Sequence, residues 1–149
     1  MNKTEKQKQK IRIRANFDQC TGCDICRLEC SFKSCGGYNP RLALLRIEAG
    51  SDGLTAFPVV CHQCENAFCE KVCPHDAMHR DEETGVPVIS AEKCRKCGMC
   101  MQYCPLQVII KNENGHAVKC DLCGGDPLCV KVCPTGALTL IREVKQHEE

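Results

Sequence analysis

The chain has 149 residues, a formal net charge of +1 and 17 cysteines, so cysteine is far more frequent than in an ordinary globular domain. The hydrophobic fraction of 43% counts those cysteines, and the remaining apolar residues can form only a small core. No segment approaches the roughly 18 consecutive apolar residues of a membrane span, and the absence of Trp argues against a surface that stacks nucleic-acid bases. The composition therefore predicts neither membrane nor nucleic-acid binding, and a fold that depends on its cysteines.

The N-terminal segment 1–16 is basic and contains neither the apolar stretch of a signal peptide nor a twin-arginine pair. We therefore expect a cytoplasmic protein, in which thiols stay reduced and can bind metal. A charge run of this kind is more often a solvated tail than a binding element. The sequence predicts a mobile arm over 1–16 and a polar tail over 141–149.

Sixteen of the seventeen cysteines fall into four groups of four. The first and third groups, called type A, have the spacing C-x2-C-x2-C-x3-C, and the type B groups have a longer interval before the third cysteine. In chain order the groups are Cys20, Cys23, Cys26 and Cys30; Cys61, Cys64, Cys69 and Cys73; Cys94, Cys97, Cys100 and Cys104; and Cys120, Cys123, Cys129 and Cys133. Because "KVCPHDAM" at 71–78 matches "KVCPTGAL" at 131–138, the chain is a repeat of order A-B-A-B.

Short strands are predicted between the groups. The segments "MHRDEETGVPVIS" and "VIIKNENGHAV" each place turn residues between two apolar runs, which predicts two antiparallel hairpins. The segment "LALLRIEAG" at 42–50 predicts a strand or an irregular spacer. Together with short helices near the cysteines, these elements predict an α+β fold.

The type A spacing is that of a bacterial ferredoxin run, in which three cysteines bind one 4Fe-4S cluster and the fourth binds a neighbouring cluster. Two intervening residues let the loop turn its backbone N–H groups toward sulfur, where they stabilise negative charge. We expect the fourth cysteine to start or lie on a short helix that the following proline ends. Pro74, Pro105 and Pro134 occupy that position, whereas Cys30 is followed by Ser31.

Structural zinc and a disulfide framework both fit the cysteines less well than clusters do. Structural zinc uses two C-x2-C pairs separated by a dozen or more residues, and a disulfide framework conflicts with the odd count and the expected compartment. The seventeenth cysteine, Cys35, is interpreted as a small buried hydrophobe. The histidines near the groups are not claimed as ligands, because sixteen cysteines supply four full sets. No catalytic triad and no phosphate-binding glycine loop is present, so we predict no catalytic residue.

The net charge changes if clusters are bound. A 4Fe-4S core with four thiolates carries about −2 when oxidised, so four of them would bring the formal +1 to about −7. Basic residues beside the ligands would offset part of this charge and tune potentials, although each is expected to be solvated. These residues are Lys71, Lys93, Arg95, Lys96, Lys119 and Lys131.

With its A-B-A-B order the chain resembles, over about residues 17–140, the four-cluster ferredoxin-like subunits of molybdenum and tungsten oxidoreductases. The stretches "CRLECSFKSCGGYNPRLALLRI" and "KCDLCGGDPLCVKVCPTGAL" are similar to small subunits that accompany aldehyde ferredoxin oxidoreductases. The resemblance implies a non-catalytic subunit that relays electrons through four 4Fe-4S clusters. It implies a tungsten or molybdenum pterin catalytic partner and a flavin subunit that uses a nicotinamide.

Alternatives remain open. Subunits of hydrogenase, formate dehydrogenase, dimethyl sulfoxide reductase and benzoyl-CoA reductase complexes resemble the chain in the same way, and fold alone does not choose among them. A zinc-binding interaction module is a hypothesis of a different class. End-to-end association of copies is a further hypothesis, with 1–16 and 141–149 as candidate contacts.

The pairing of fourth cysteines follows from the length of the links and from the resemblance. The link between Cys73 and Cys94 is hairpin-sized, which pairs the second group with the third and leaves the first to pair with the fourth. This predicts an inserted ferredoxin-like unit at 56–112 within an outer unit at 17–55 and 113–140. A sequential scheme, joining Cys30 to the second group and Cys104 to the fourth, remains open. The predicted ligand sets are Cys20, Cys23, Cys26 and Cys133; Cys30, Cys120, Cys123 and Cys129; Cys61, Cys64, Cys69 and Cys104; and Cys73, Cys94, Cys97 and Cys100.

Overall fold

A computed structural model of the chain describes residues 9–144, and the side chains of residues 10–143. These residues form eight strands and four helices, with short 3-10 turns at Phe17–Gln19, Pro40–Leu42 and Leu122–Gly125. The strands are β1 (Gln9–Ala15), β2 (Arg46–Ala49), β3 (Ala56–Val59), β4 (Met78–Arg80), β5 (Pro87–Ile89), β6 (Ile110–Lys111), β7 (Ala117–Val118) and β8 (Leu138–Val144). The helices are α1 (Ile25–Cys35), α2 (Phe68–Lys71), α3 (Met99–Tyr103) and α4 (Leu128–Val132).

The strands pair as four antiparallel two-stranded sheets, β1–β8, β2–β3, β4–β5 and β6–β7. The two predicted hairpins are confirmed as β4–β5 and β6–β7. Part of the segment 42–50 forms β2, which pairs with β3 in a third hairpin. The fold is thus a small mixture of short strands and helices, as expected of a ferredoxin-like 4Fe-4S domain.

Strands β1 and β8 join the two ends of the described chain. Ile13 lies opposite Leu140 and Ile11 opposite Arg142, and both isoleucines are buried. The predicted mobile arm is therefore wrong for residues 9–15, and the predicted tail is wrong for 141–144. The basic residues of "KIRIRA" suggested a solvated tail, but its alternating isoleucines have the period of a half-buried strand. Residues 1–8 and 145–149 lie outside the described residues.

Helix length depends on the residue after the fourth cysteine. Helices α2, α3 and α4 have four or five residues and end just before "CP", where proline prevents a helix from continuing. Helix α1 has eleven residues because Ser31 replaces that proline. The buried Ser31 hydroxyl donates to the Leu28 carbonyl at 2.8 Å and accepts from the Asn39 N–H at 3.2 Å. The helix ends at Gly36, whose φ of 73° suits glycine.

The main hydrophobic core lies beneath β1, β8, α1 and α4. Its buried members are Ile11, Ile13, Cys26, Leu45, Val60, Val86, Leu122, Cys129 and Leu138. Helix α1 packs against α4 across about a hundred residues of sequence, whereas α2 packs against α3. Among the helices described, none has the length and apolar character of a membrane span.

Candidate iron–sulfur sites

The first C-x2-C pair of each group is closed by a left-handed residue directly before its second cysteine. Gly22, Gln63, Lys96 and Leu122 hold this position, with φ of 71°, 48°, 61° and 57°. Three of the four are not glycine, and such residues adopt a positive φ only where the surroundings impose it. This conformation lets successive N–H groups point to one side of the loop, where they can stabilise negative charge. The internal repeat therefore extends to backbone geometry.

The cysteines occupy helices differently from the prediction. The third cysteine of each group lies within a helix, and the fourth cysteines Cys73, Cys104 and Cys133 follow the helix instead of starting it. Only the first group, which lacks the proline, has its fourth cysteine inside a helix, at Cys30. After each "CP" the chain turns at a residue with positive φ, which is Asp76, Gln107 or Gly136. A strand begins two or three residues further on.

Four cysteines from distant parts of the sequence line one cavity. Its walls include Cys20, Cys23 and Cys26 of the first group together with Cys133 of the fourth. The cavity contains about 330 Å³ of empty space, part of it open to solvent. The four cysteine side chains therefore face one shared space, although they come from opposite ends of the chain.

A second cavity repeats this arrangement on the other group pair. Its walls include Cys94, Cys97 and Cys100 of the third group and Cys73 of the second, with about 360 Å³ of empty space. His75 and Arg95 line it as well, together with small and apolar residues such as Met78 and Ala117. In both cavities three cysteines come from one loop and the fourth from another group.

Charge effects between cysteines indicate two further groupings among the remaining eight. Burial is the first cause that raises the pKa of Cys129, and the charges of Cys120, Cys30 and Cys123 add to it. Burial likewise raises the pKa of Cys61, with charge effects from Cys64 and Cys104. Burial also raises the pKa of Cys69, and the charges of Cys61 and Cys104 add to that rise.

Charge effects on cysteine pKa values also link neighbouring sets. Cys26 contributes to the raised pKa of Cys129, Cys61 to that of Cys120, and Cys69 to that of Cys100, in each case after burial. These three charge effects indicate that the four cysteine sets follow one another in a row. The set that contains Cys23 and the set that contains Cys97 are at its ends.

The chemistry of these sites fits iron–sulfur clusters. Burial raises the pKa of Cys26 to about 11 and that of Cys120 to about 12, so bare thiolates are disfavoured there until a positively charged centre binds them. Backbone N–H groups of Leu44, Ala77 and Leu122 point at cysteine sulfurs at 3.2–3.4 Å, which is the environment that stabilises an anionic cluster. In the described part of the chain no group of three or more His, Cys, Asp or Glu is placed to hold a single metal ion.

Exposure differs between the ends and the middle of the row. No cysteine of the two central sets is exposed, whereas each end set has one exposed cysteine, Cys23 or Cys97. Cys35 is also exposed, so its interpretation as a small buried residue is wrong. It is the last residue of α1, and its thiol donates to the carbonyls of Ser31 at 3.0 Å and Gly37 at 3.3 Å. Sequence position alone did not reveal that α1 ends at the surface.

Lys119 also differs from its prediction, because the sequence indicated a solvated side chain. It is only 6% exposed, and its ammonium donates to three oxygen atoms. Lys71, Lys93, Arg95, Lys96 and Lys131 are not buried. No local sequence signal separates Lys119 from these residues, since all of them stand close to a cysteine.

The fold and the cysteine sites together define a ferredoxin-like iron–sulfur protein. Residues 53–143 match the family described as 4Fe-4S dicluster domain. The chain therefore belongs to this family. The family and the sixteen grouped cysteines of the chain together fit four 4Fe-4S clusters.

Named relatives agree with this family. The chain is 37% identical to the polyferredoxin-like subunit of an aliphatic sulfonate oxidoreductase of Pyrococcus furiosus, over 87% of this chain and 75% of that protein. It is 36% identical to the thiosulfate reductase electron transfer subunit PhsB of Salmonella typhi, over 80% of this chain and 69% of that protein. The prediction of an electron-transfer protein, as opposed to an enzyme with its own substrate site, is thereby confirmed.

A solved structure shares the architecture. The active site complex BamBC of benzoyl-coenzyme A reductase contains a chain that matches with a TM-score of 0.53 and 26% identity. The match covers 95% of this chain and 79% of that chain. The arrangement of short elements around the cysteine groups therefore occurs in a known oxidoreductase complex.

Proposed function

We propose that the chain is the electron-transfer subunit of an oxidoreductase complex and relays single electrons along its row of four cysteine sets. The observation that carries this proposal is the row itself, with no exposed cysteine in its two central sets and one exposed cysteine, Cys23 or Cys97, at each end. A bound 4Fe-4S cluster takes up and releases one electron at a time. The protein supplies the order of the sites.

The ligand sets are proposed as predicted from the sequence. Two of them are supported by the cavities that join Cys133 to the first group and Cys73 to the third. The sequential alternative requires Cys30 beside the second group and Cys104 beside the fourth. Instead, after burial, the charge of Cys123 adds to the raised pKa of Cys30, and the charge of Cys104 adds to that of Cys61. These effects support the pairing of the first group with the fourth and of the second with the third.

The insertion of one ferredoxin-like unit in another is part of the same proposal. Packing of α1 on α4 and of α2 on α3 supports it, because each helix pair belongs to one proposed unit. The outer unit should be extended by residues 9–15 and 141–144, which pair as β1 with β8. That pairing also uses the backbone of both segments, so end-to-end association through free tails loses support for these residues.

For the partners we propose a tungsten or molybdenum pterin catalytic subunit of the aldehyde oxidoreductase type at one end. A flavin subunit that uses a nicotinamide, or another redox protein, would dock at the other end. The exposure of Cys23 and Cys97 on two different sets supports two separate docking points. A cytoplasmic location stays a prediction.

A catalytic partner of the benzoyl-CoA reductase type is a second candidate. The specific observation in its favour is the structural match to a chain of that active site complex. The two candidates share the relay described above and differ in the substrate of the partner.

Purification of the untagged complex under anaerobic conditions tests the proposal. The large subunit that accompanies this chain is identified by mass spectrometry, and dye reduction is assayed with aldehydes and with the benzoyl-CoA couple. We expect aldehyde-dependent reduction by the complex and none by the isolated chain. Dye reduction by the isolated chain with either substrate would contradict a non-catalytic relay, and activity of the complex only with the benzoyl-CoA couple would select the second candidate.

The ligand scheme has a separate test in Cys133→Ala. This variant should lose the site that contains Cys20, Cys23 and Cys26, while the signals of the other three sites remain. The matched variant is Cys104→Ala, the fourth cysteine of the third group, which should remove the site of Cys61, Cys64 and Cys69. Loss of the 94–100 site in Cys133→Ala would support the sequential scheme instead.

A further inference from the structure

Lys119 is a buried cation held by three neutral oxygen atoms. Its Nζ donates to Gln63 Oε1 at 3.0 Å, to the Pro87 carbonyl at 2.5 Å and to the Cys120 carbonyl at 2.8 Å. These acceptors come from the second cysteine loop, from β5 and from the start of the fourth cysteine group. The side chain therefore lies where three separate segments of the chain meet.

The hydrogen bonds indicate that Lys119 is charged. An ammonium has three donors and no acceptor, and all three partners are amide oxygens that can only accept. A neutral amine would have two protons for three acceptors. Because the acceptors carry no net charge, they satisfy the donors without neutralising the cation. Burial of such a charge is unfavourable unless opposite charge lies nearby.

Bound clusters in the cysteine sets on either side of Lys119 would supply the opposite charge. Lys119 is adjacent to Cys120 in the chain, and Gln63 lies between Cys61 and Cys64. The Gln63 amide donates to the Cys120 carbonyl at 3.0 Å while its oxygen accepts from Lys119. The Lys119 ammonium thus contacts the backbone of Cys120 and the side chain of the residue between Cys61 and Cys64. These three cysteines belong to the two central sets of the row.

We infer that Lys119 is a potential-tuning residue, which raises the reduction potentials of the two central cluster sites relative to the two end sites. This inference rests on the ligand sets proposed above. Reduction adds one negative charge to a site, and a fixed cation beside the site stabilises the reduced form. The effect is large at Lys119 because burial leaves little water to screen the charge.

Lys131 shows why proximity in sequence is not sufficient. It stands two residues from both Cys129 and Cys133. However, its side chain is 53% exposed and forms an ion pair with Asp126. Solvent and the carboxylate both screen its charge, so its removal should change the potentials little. Lys131→Met is therefore a matched control for removal of Lys119.

The test is a potentiometric titration of the full chain with four clusters, followed by electron paramagnetic resonance. Lys119→Met and Lys119→Gln both remove the charge but differ in hydrogen bonding. In each, we expect two of the four components to become harder to reduce, by at least tenfold in the one-electron equilibrium, which is about 59 mV. The other two components and the Lys131→Met variant should keep the unaltered potentials.

Gln63→Glu supplies a second route in case a Lys119 variant fails to bind its clusters. It keeps the lysine and the side-chain shape but places a carboxylate against the ammonium, so the same two components should shift in the same direction. No shift in any component, an equal shift in all four, or the same shift in Lys131→Met overturns the inference. The iron content of the unaltered chain and the number of its resolved components test the proposed ligand sets. A failure of the ligand sets can therefore be told apart from a failure of the inference about Lys119.

Discussion

The two ends of the molecule are built in opposite ways. At the closed end, defined as β1, β8, α1 and α4, two seven-residue strands pair between positions more than a hundred residues apart. At the hairpin end, defined as β4 to β7, α2 and α3, strands of two or three residues pair with the next strand along the chain. The closed end contributes five of the nine members of the main buried cluster, including Ile11, Ile13 and Leu138.

This difference separates two sources of stability. Pairing of distant segments requires closure of a long loop, which burial of apolar side chains must offset. Hairpins of two or three residues close at little entropic cost but are too short to be stable alone. The hairpin end should therefore depend on bound clusters as cross-links, whereas the closed end should keep its structure better when one cluster is missing.

The largest effect is expected from the matched variants Cys97→Ser and Cys23→Ser. Both residues are exposed second cysteines of type A loops, one at each end. Each variant should lose one cluster, or about four irons of sixteen. Hydrogen exchange should show broad loss of protection over 68–118 in Cys97→Ser, and only local loss around 20–26 in Cys23→Ser. Equal loss of protection at both ends would contradict the distinction.

Ile13→Ala tests the core of the closed end. The side chain is 4% exposed, so its truncation should lower the free energy of unfolding by about 2–5 kcal/mol. Urea unfolding followed by far-ultraviolet circular dichroism measures this change. Leu54, which is 91% exposed, provides the control, and Leu54→Ala should stay within about 0.5 kcal/mol of the unaltered chain. A larger effect from Leu54 than from Ile13 would show that the core has been assigned wrongly.

A smaller, pH-dependent effect is expected at two matching turns. Asp81 accepts from the Thr84 N–H at 2.8 Å and its hydroxyl at 2.7 Å, and Asp52 makes the same contacts with Thr55 at 3.0 and 2.8 Å. Hydrogen bonds from these threonines lower the pKa of both carboxyls. Because the folded pKa is depressed, the contribution to stability is present above the unfolded value of about 3.9 and is lost as pH falls through the folded value.

Amide exchange of Thr55 and Thr84 between pH 6 and pH 3 measures this effect. Protection of Thr84 should fall more steeply in acid, because its turn closes the three-residue strands β4 and β5. Asp81→Asn and Asp52→Asn should remove the pH dependence at their own turns only. An acid-induced change that persists in Asp81→Asn would assign it to another group.

The smallest effect is expected from Cys35→Ser, at the end of the helix that lacks the terminating proline. Serine can donate to the same Ser31 and Gly37 carbonyls as the thiol. The iron content should stay unchanged, while the number of thiols that react with a maleimide in the cluster-loaded chain should fall from about one to none. A loss of iron in this variant would mean that Cys35 takes part in a cluster site.

The sequence by itself determined the features that depend on neighbouring residues. The A-B-A-B repeat, the hairpins β4–β5 and β6–β7 and the helix stops at Pro74, Pro105 and Pro134 each involve a short stretch of chain. Turn chemistry, proline geometry and cysteine spacing act over a few residues, so they can be read without the fold. The family and the number of clusters followed from the same local patterns.

Only the tertiary structure decided what depends on distant segments. The basic segment 9–15 becomes a strand because β8 lies beside it and the core accepts Ile11 and Ile13. Lys119 and Lys131 stand equally close to cysteines in sequence, but only Lys119 is enclosed, by segments up to 56 residues away. Burial is a property of the packed chain, so neither the solvation of these lysines nor the exposure of Cys35 could be derived from local sequence.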